Sequence, residues 1–266
     1  MWIQDLAEAA MEFGAAPPHR QQIAEIDSSG LLAKMTNFAE KKRLVGRLVR
    51  GLYRRLSAAC RPAKPFPGSR QYWEDRYSAD GNSGVGSYGK FGAFKAEVIN
   101  GFVVTRGVQS VIELGCGDGN QLMLARYPMY AGYDVSETAV GQCRRLFASD
   151  ATKTFALMSQ YRGERADLAL SLDVIYHLVE DRVFDDYMRT LVGAAHRYVI
   201  IYASNSDDNR EYQGPHIKHR KFSTWFQRNA LDWELIEHIP NRYPYRGDYT
   251  EGSFAEFFIY GRAKPK

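Results

Sequence analysis

Three observations predict an α/β fold with a mostly parallel sheet. Short apolar runs recur near residues 110–114, 129–133, 153–157, 167–172 and 197–203, the length and make-up of strands. Helix-like stretches separate these five, the βαβ pattern of a parallel sheet. Two further apolar runs, 232–238 and 254–260, lie closer together around Pro240, Pro244 and Gly247. They suit an antiparallel last strand.

The 266 residues divide at a Pro- and Gly-rich stretch, 61–69, which reads as a linker. Residues 1–65 are expected to form a helical extension and 66–266 the α/β domain. A composition of 45% hydrophobic and 25% charged residues is that of a globular protein. No apolar run is long enough to span a bilayer. The start, Met1-Trp2-Ile3-Gln4-Asp5, has no basic segment before an apolar core, so no secretory signal is expected. Cys60, Cys116 and Cys143 are widely spaced and odd in number. That fits a reducing, cytoplasmic setting without a disulfide framework.

The net charge of +4 conceals an asymmetry, because residues 41–64 hold nine Lys or Arg and no acid. The rest of the chain is therefore net acidic. Leu44, Leu48, Leu52 and Leu56 recur every fourth residue, with Arg43, Arg47, Arg50 and Arg54 on the other side. This is a basic amphipathic helix. Packing on the protein or a partner subunit is the first reading, and peripheral contact of residues 41–56 with an anionic membrane the second. Nucleic acid fits least.

The elements of the main domain follow in order. Phe91, Phe94, Val98, Ile99, Phe102 and Val103 mark one face of a helix over 91–106, with Gly107 as its C-cap. The strand at 110–114 runs into Gly115, Gly117 and Gly119 and then a helix-like segment. Such glycines let backbone approach a ligand. Asp134 follows about twenty positions later, at the end of the second strand, where nucleotide-binding α/β folds place a ribose-hydroxyl acceptor. Ser136 is placed to cap the next helix. The strand at 167–172 ends at Asp173, with His177 four residues on, at the carboxyl edge where ligands bind in open parallel sheets. A polar loop, 204–209, and a basic one, Pro215-His216-Ile217-Lys218-His219-Arg220-Lys221, suit a polyhydroxylated or phosphorylated ligand. Gly84-Val85-Gly86-Ser87-Tyr88-Gly89 formally matches G-x-G-x-x-G, but polar, turn-like residues precede it where that motif needs a buried strand. It reads as a mobile lid whose Tyr88 and Lys90 reach the ligand.

The run Val111-Ile112-Glu113-Leu114-Gly115-Cys116-Gly117-Asp118-Gly119-Asn120 resembles motif I of class I S-adenosylmethionine (SAM)-dependent methyltransferases. Residues 166–178 resemble motif IV. With Tyr72-Trp73-Glu74, the 83–100 stretch and His216–Phe222, the chain is similar over roughly 70–262 to a bacterial subgroup associated with surface-glycan and sugar modification. The resemblance implies a Rossmann-like, seven-stranded sheet with helices on both faces, SAM as cofactor, and O-methylation of a hydroxyl on a sugar or glycan intermediate. It implies that Glu113, Gly115, Gly117 and Asn120 line the methionine half of SAM and Asp134 the ribose. Ser159 or Gln160 is left for adenine, in a region lacking the acid the family often has. Tyr88 is assigned to the amino-acid end, and Asp173 is counted with both cofactor and acceptor. His177 is the first candidate base, with His216 and His219 as substitutes. Asp173 is expected to orient His177, act as base or help hold a metal. The spacing does not decide for a divalent cation. Alternatives are a natural-product methyltransferase, an RNA methyltransferase and a non-catalytic SAM-binding scaffold.

Overall fold

The computed structural model describes residues 66–210 and 214–263. The helical extension and the basic helix expected within 1–65 lie outside the described residues. The domain opens with α1 (Ser69–Ser78) and α2 (Gly89–Arg106), then β1 (Ser110–Leu114) and β2 (Met129–Asp134). α3 (Glu137–Leu146), β3 (Lys153–Leu157), β4 (Ala166–Leu172), α4 (Asp181–Gly193) and β5 (Ala195–Ala203) follow. α5 (Phe222–Asn229), β6 (Trp233–Ile239) and β7 (Glu256–Arg262) complete it.

The seven strands form one sheet in the order β3-β2-β1-β4-β5-β7-β6. β1 to β5 pair in parallel, with Glu113 opposite Gly132 and Leu114 opposite Tyr133. β7 inserts antiparallel between β5 and β6, with Ile200 opposite Ile259. It is thus the one antiparallel strand, as the spacing predicted.

Alternation along each strand divides the core between two faces. Ile200 and Tyr202 join one cluster, where α2 contributes Phe94, Ile99, Phe102 and Val103. Val199, Ile201 and Ala203 join the other, where α4 contributes Phe184, Met188 and Leu191, and α5 contributes Phe222 and Phe226. Burying each such side chain contributes about 1.5–3 kcal/mol. These layers fix the sheet so that the turns at its carboxyl edge can be shaped for a ligand. Two cap expectations hold: Gly107 ends α2 in the left-handed region, and Ser136 Oγ accepts from Ala139 N–H at the start of α3.

Three local expectations need correction. The segment after Gly119 is a short 3-10 turn, Gln121–Leu124, not an α-helix. Three left-handed glycines and Pro128 leave too little chain between β1 and β2. Only another 3-10 turn, Met158–Gln160, lies between β3 and β4, because eight residues including Gly163 span that gap. The turn-like stretch from Tyr72 is instead largely α1, which covers the sheet edge described next.

Candidate active site

The carboxyl edges of β1, β2 and β4 border a cavity of about 430 Å³, within the size range of small-molecule sites. The floor is the turn after β1. Asp134, buried at the end of β2, accepts from Gly117 N–H through Oδ2 (2.9 Å) and from Ser136 N–H through Oδ1 (3.0 Å). One carboxylate therefore clamps the β1 turn to the start of α3. Burial raises its pKa and these backbone donors oppose the rise.

The turn has no room for side chains. A Cβ on Gly115 (φ +90°) would lie 2.5 Å from a Val174 methyl, and one on Gly117 (φ +57°) 2.3 Å from Ser83 Oγ. Backbone thus forms the ligand-facing surface there.

α2 supplies a residue that the apolar pattern hid. Lys95 is fully buried, and its Nζ donates to Asp173 Oδ2 at 2.6 Å. It also lies 5.3 Å from the centre of the Tyr202 ring. Tyr176 Oη donates to the other carboxylate oxygen of Asp173 at 2.8 Å. Asp173 itself takes a left-handed conformation, φ 59°, which Asp tolerates better than most residues. Glu113 faces the same cavity and accepts from Tyr130 Oη at 2.7 Å. Burial pushes its carboxyl up to about 7, against the pull of the Tyr130 bond and of Lys95. Gln121 lines the cavity too, and its Oε1 is buried without a hydrogen-bond partner.

His177 borders the cavity on the β4 side. Its Nδ1 lies 3.1 Å from the carbonyl oxygen of His216. A carbonyl only accepts, so Nδ1 carries the hydrogen and Nε2 keeps the lone pair. Burial pushes the ring down to about 4, so it is neutral at physiological pH. The His216 ring stacks on it at 5.4 Å, Tyr72 stacks on His216 at 4.4 Å, and Trp73 meets His177 edge-on at 4.8 Å.

The roof is the segment from Pro67 to Ser87. Ser69 N–H donates to Glu180 Oε1 at 2.9 Å, and Ser69 Oγ accepts from Val179 N–H at 3.1 Å. The same hydroxyl lies 2.6 Å from Glu180 Oε2 and 2.7 Å from the His177 carbonyl. Glu74 accepts from Thr138 Oγ1 at 2.7 Å. Asp118 Oδ2 accepts from Ser83 N–H and Tyr88 Oη, both at 2.8 Å. The G-x-G-x-x-G look-alike is therefore pinned to the β1 turn.

Of the residues singled out from sequence, Glu113, Gly115, Gly117, Asp134, Asp173 and His177 converge on this cavity. The others do not line it. Asn120 Nδ2 is spent on the Ser87 carbonyl (2.6 Å) and Tyr88 on Asp118. Gln160 Oε1 caps its own turn through Leu157 N–H (3.1 Å), so Met158 faces the cavity in place of Ser159 or Gln160. His216 touches His177 through its carbonyl and its stacked ring but does not line the cavity itself. His219 is buried, with Nδ1 2.6 Å from Ser204 Oγ, and lines a different cleft. Asp173 has no hydrogen bond to His177, because Lys95 and Tyr176 occupy it. No group of three or more His, Cys, Asp or Glu suited to a metal ion occurs among the described residues.

No protein-family model and no curated protein matches the chain. Solved structures do. N-methyltransferase NodS from Bradyrhizobium japonicum, in complex with S-adenosylhomocysteine (SAH), aligns with a TM-score of 0.58 at 15% identity, over 74% of this chain and 100% of its own. Magnesium protoporphyrin IX methyltransferase from Synechocystis, with bound SAH, aligns with a TM-score of 0.52 at 18% identity, over 73% of this chain and 98% of its own. At these identities the likeness establishes the fold, a seven-stranded Rossmann-like sheet shared with methyltransferases.

Proposed function

We propose that the chain is a SAM-dependent O-methyltransferase whose acceptor is a hydroxyl on a sugar or glycan intermediate. The observation that carries the cofactor assignment is the bare backbone turn after β1, clamped by Asp134 and facing a cavity of about 430 Å³. The residues present fit such a ligand. Gly115 and Gly117 leave backbone where a Cβ would intrude, and buried Lys95 and orphaned Gln121 Oε1 offer a donor and an acceptor for a zwitterionic end. Asp134 stands at the ribose position, and Val135 and Met158 provide apolar walls for a flat ring. When bound, SAM supplies a methyl group already activated on a sulfonium.

The protein's task is then to place an oxygen in line with that methyl and to remove its proton. Positioning within the cavity supplies much of the rate. His177 provides the base: its tautomer is set by the His216 carbonyl, and Nε2 is free to take the hydroxyl proton. Asp173 is engaged on one carboxylate oxygen by Lys95 and on the other by Tyr176, and serves to position groups near the reacting centre rather than as the base. The sugar or glycan reading rests on the similarity of motifs around Tyr72–Asn100 and His216–Phe222.

Calorimetric titration with SAH tests the donor assignment, with Asp134→Ala alongside. Micromolar binding that collapses in the variant is the expected result. Absence of SAH binding by the unmodified chain refutes it. A screen of sugar hydroxyl acceptors with radiolabelled SAM then tests the acceptor class.

A further inference from the structure

The basic segment that follows His216 is not absorbed by the donor cavity. Its later residues wall a second, open cleft of about 570 Å³. Lys221, the N-cap of α5, and Thr224, Trp225, Arg228 and Asn229 on the helix line this cleft. Their spacing of i, i+3, i+4, i+7 and i+8 is that of a single helical face. Asp207 and Asn209, and Asp181 and Phe184 at the start of α4, complete the lining.

Four cations, Lys218, Arg220, Lys221 and Arg228, face two carboxylates, Asp181 and Asp207. The cations are not equivalent. Arg220 is buried and donates to the Leu178 carbonyl (2.6 Å), the Val179 carbonyl (2.9 Å) and Asp181 Oδ1 (2.6 Å). With Phe184 beneath its guanidinium at 4.8 Å, it belongs to the scaffold. Lys218 donates to the same Asp181 oxygen at 2.6 Å, so one carboxylate serves two cations. Asp207 Oδ1 is engaged by the Lys221 backbone N–H at 2.8 Å. Lys221 and Arg228 are exposed and form no ion pair or side-chain hydrogen bond among the described residues, and Thr224 presents a hydroxyl between them. The cleft therefore has an excess of positive charge, a fixed floor and two uncommitted cations one helical face apart.

We propose that this cleft binds the phosphate or diphosphate group of a phosphorylated acceptor, with Lys221 and Arg228 as its recognition cations and Thr224 as a hydroxyl donor. A phosphate dianion balances the excess charge, which a neutral sugar leaves uncompensated. Arg meets phosphate through paired N–H groups and Lys as a point charge. Trp225 places an aromatic surface beside the anion, suited to packing on a sugar ring. The same loop carries His216, whose carbonyl fixes His177, so a ligand anchored at Lys221 is held five residues along the chain from the group that orients the base. That the bound phosphate belongs to a methyl acceptor rests on the methyl-transfer reading; the anion site stands on its own geometry.

The test uses the full-length protein, inorganic pyrophosphate as probe, and the double variant Lys221→Ser/Arg228→Ser, whose changes are at exposed positions. Pyrophosphate is expected to bind at low salt and weaken as salt rises, and the double variant to bind about tenfold or more weakly, a loss of roughly 1.4 kcal/mol. SAH affinity measured on the same samples is expected to be unchanged. No pyrophosphate binding by the unmodified chain, or equal binding by the variant, overturns the proposal. Loss of SAH binding by both proteins instead sinks the methyl-transfer reading and leaves the pyrophosphate result to decide the anion site. A soluble short-chain phosphatidic acid separates the two sources of phosphate. Tighter binding than pyrophosphate at the same residues points to a lipid-linked acceptor, and weaker binding to a soluble one.

Discussion

His177 and Glu113 lie on one cavity and are displaced from their ordinary titration ranges in opposite directions, to about 4 and about 7. The folded chain resists protonating His177 between pH 6.5 and about 4. Its contribution to stability is fully present above that window and lost as pH falls through it. Glu113 keeps a proton between pH 4.5 and about 7. Its contribution is present below that window and lost as pH rises through it. Single variants uncouple the two. His177→Gln is expected to lose stability from pH 5 to pH 7 through the remaining Glu113, and Glu113→Gln to gain it, as read by urea midpoints. In turnover, His177→Gln is expected to lower kcat by roughly a hundredfold or more. If the chain turns over as proposed, its acid limb should fall near pH 4; a limb near pH 6.5 would show that a different, solvated histidine is the base. His177 was legible from its place four residues after a strand end, but its tautomer was not. That depends on the His216 carbonyl, brought near by a loop from a different part of the chain.

α2 shows why some of the site escaped the sequence. Its apolar stripe, Phe91, Phe94, Val98, Ile99 and Phe102, was read correctly, yet Lys95 falls on that stripe, four residues after Phe91 and four before Ile99. A lysine in the middle of an apolar face was the available signal. Gln121 left none, because a 3-10 turn has no periodicity to violate. The central strands were legible because a sheet buried on both faces needs continuous apolar runs. The helices between them were over-predicted where glycines and short gaps forbid a helix. Two predictions follow from element contacts. Lys95→Met leaves the partly buried Asp173 without its cation, and the cost is expected to stay below the roughly 3–5 kcal/mol of breaking a fully buried pair; a lowered thermal midpoint, partly restored by adding Asp173→Asn, checks this. Ser69 ties α1 to the turn before α4 through Glu180 and Val179. Ser69→Ala is expected to loosen the roof by about 1–2 kcal/mol. Faster SAH dissociation and reduced exchange protection in α1, with α2 unchanged, are the readouts.

At the scale of the whole chain, the residues lining the donor cavity all fall between Pro67 and Tyr187. Residues 65–266 form one compact unit by themselves, with an apolar cluster on each face of the sheet. A chain beginning at Pro65 is therefore expected to fold and to bind SAH with unchanged affinity. What it should lose is whatever the nine basic residues of 41–64 provide. No helix among the described residues is long and apolar enough to cross a membrane. Basic amphipathic segments bind anionic surfaces through charge and apolar burial together, and the charge part is screened by salt. Co-sedimentation with anionic and neutral vesicles, for full-length and shortened chains, decides between the two leading readings of that segment. Binding of the full chain to anionic vesicles alone, lost on shortening and weakened by salt, places the segment on a membrane. Equal behaviour of the two chains, with a lower thermal midpoint after shortening, places it against protein. In either case the donor cavity should keep its affinity, because its clamp runs from Gly117 to Asp134 to Ser136, wholly inside the retained unit.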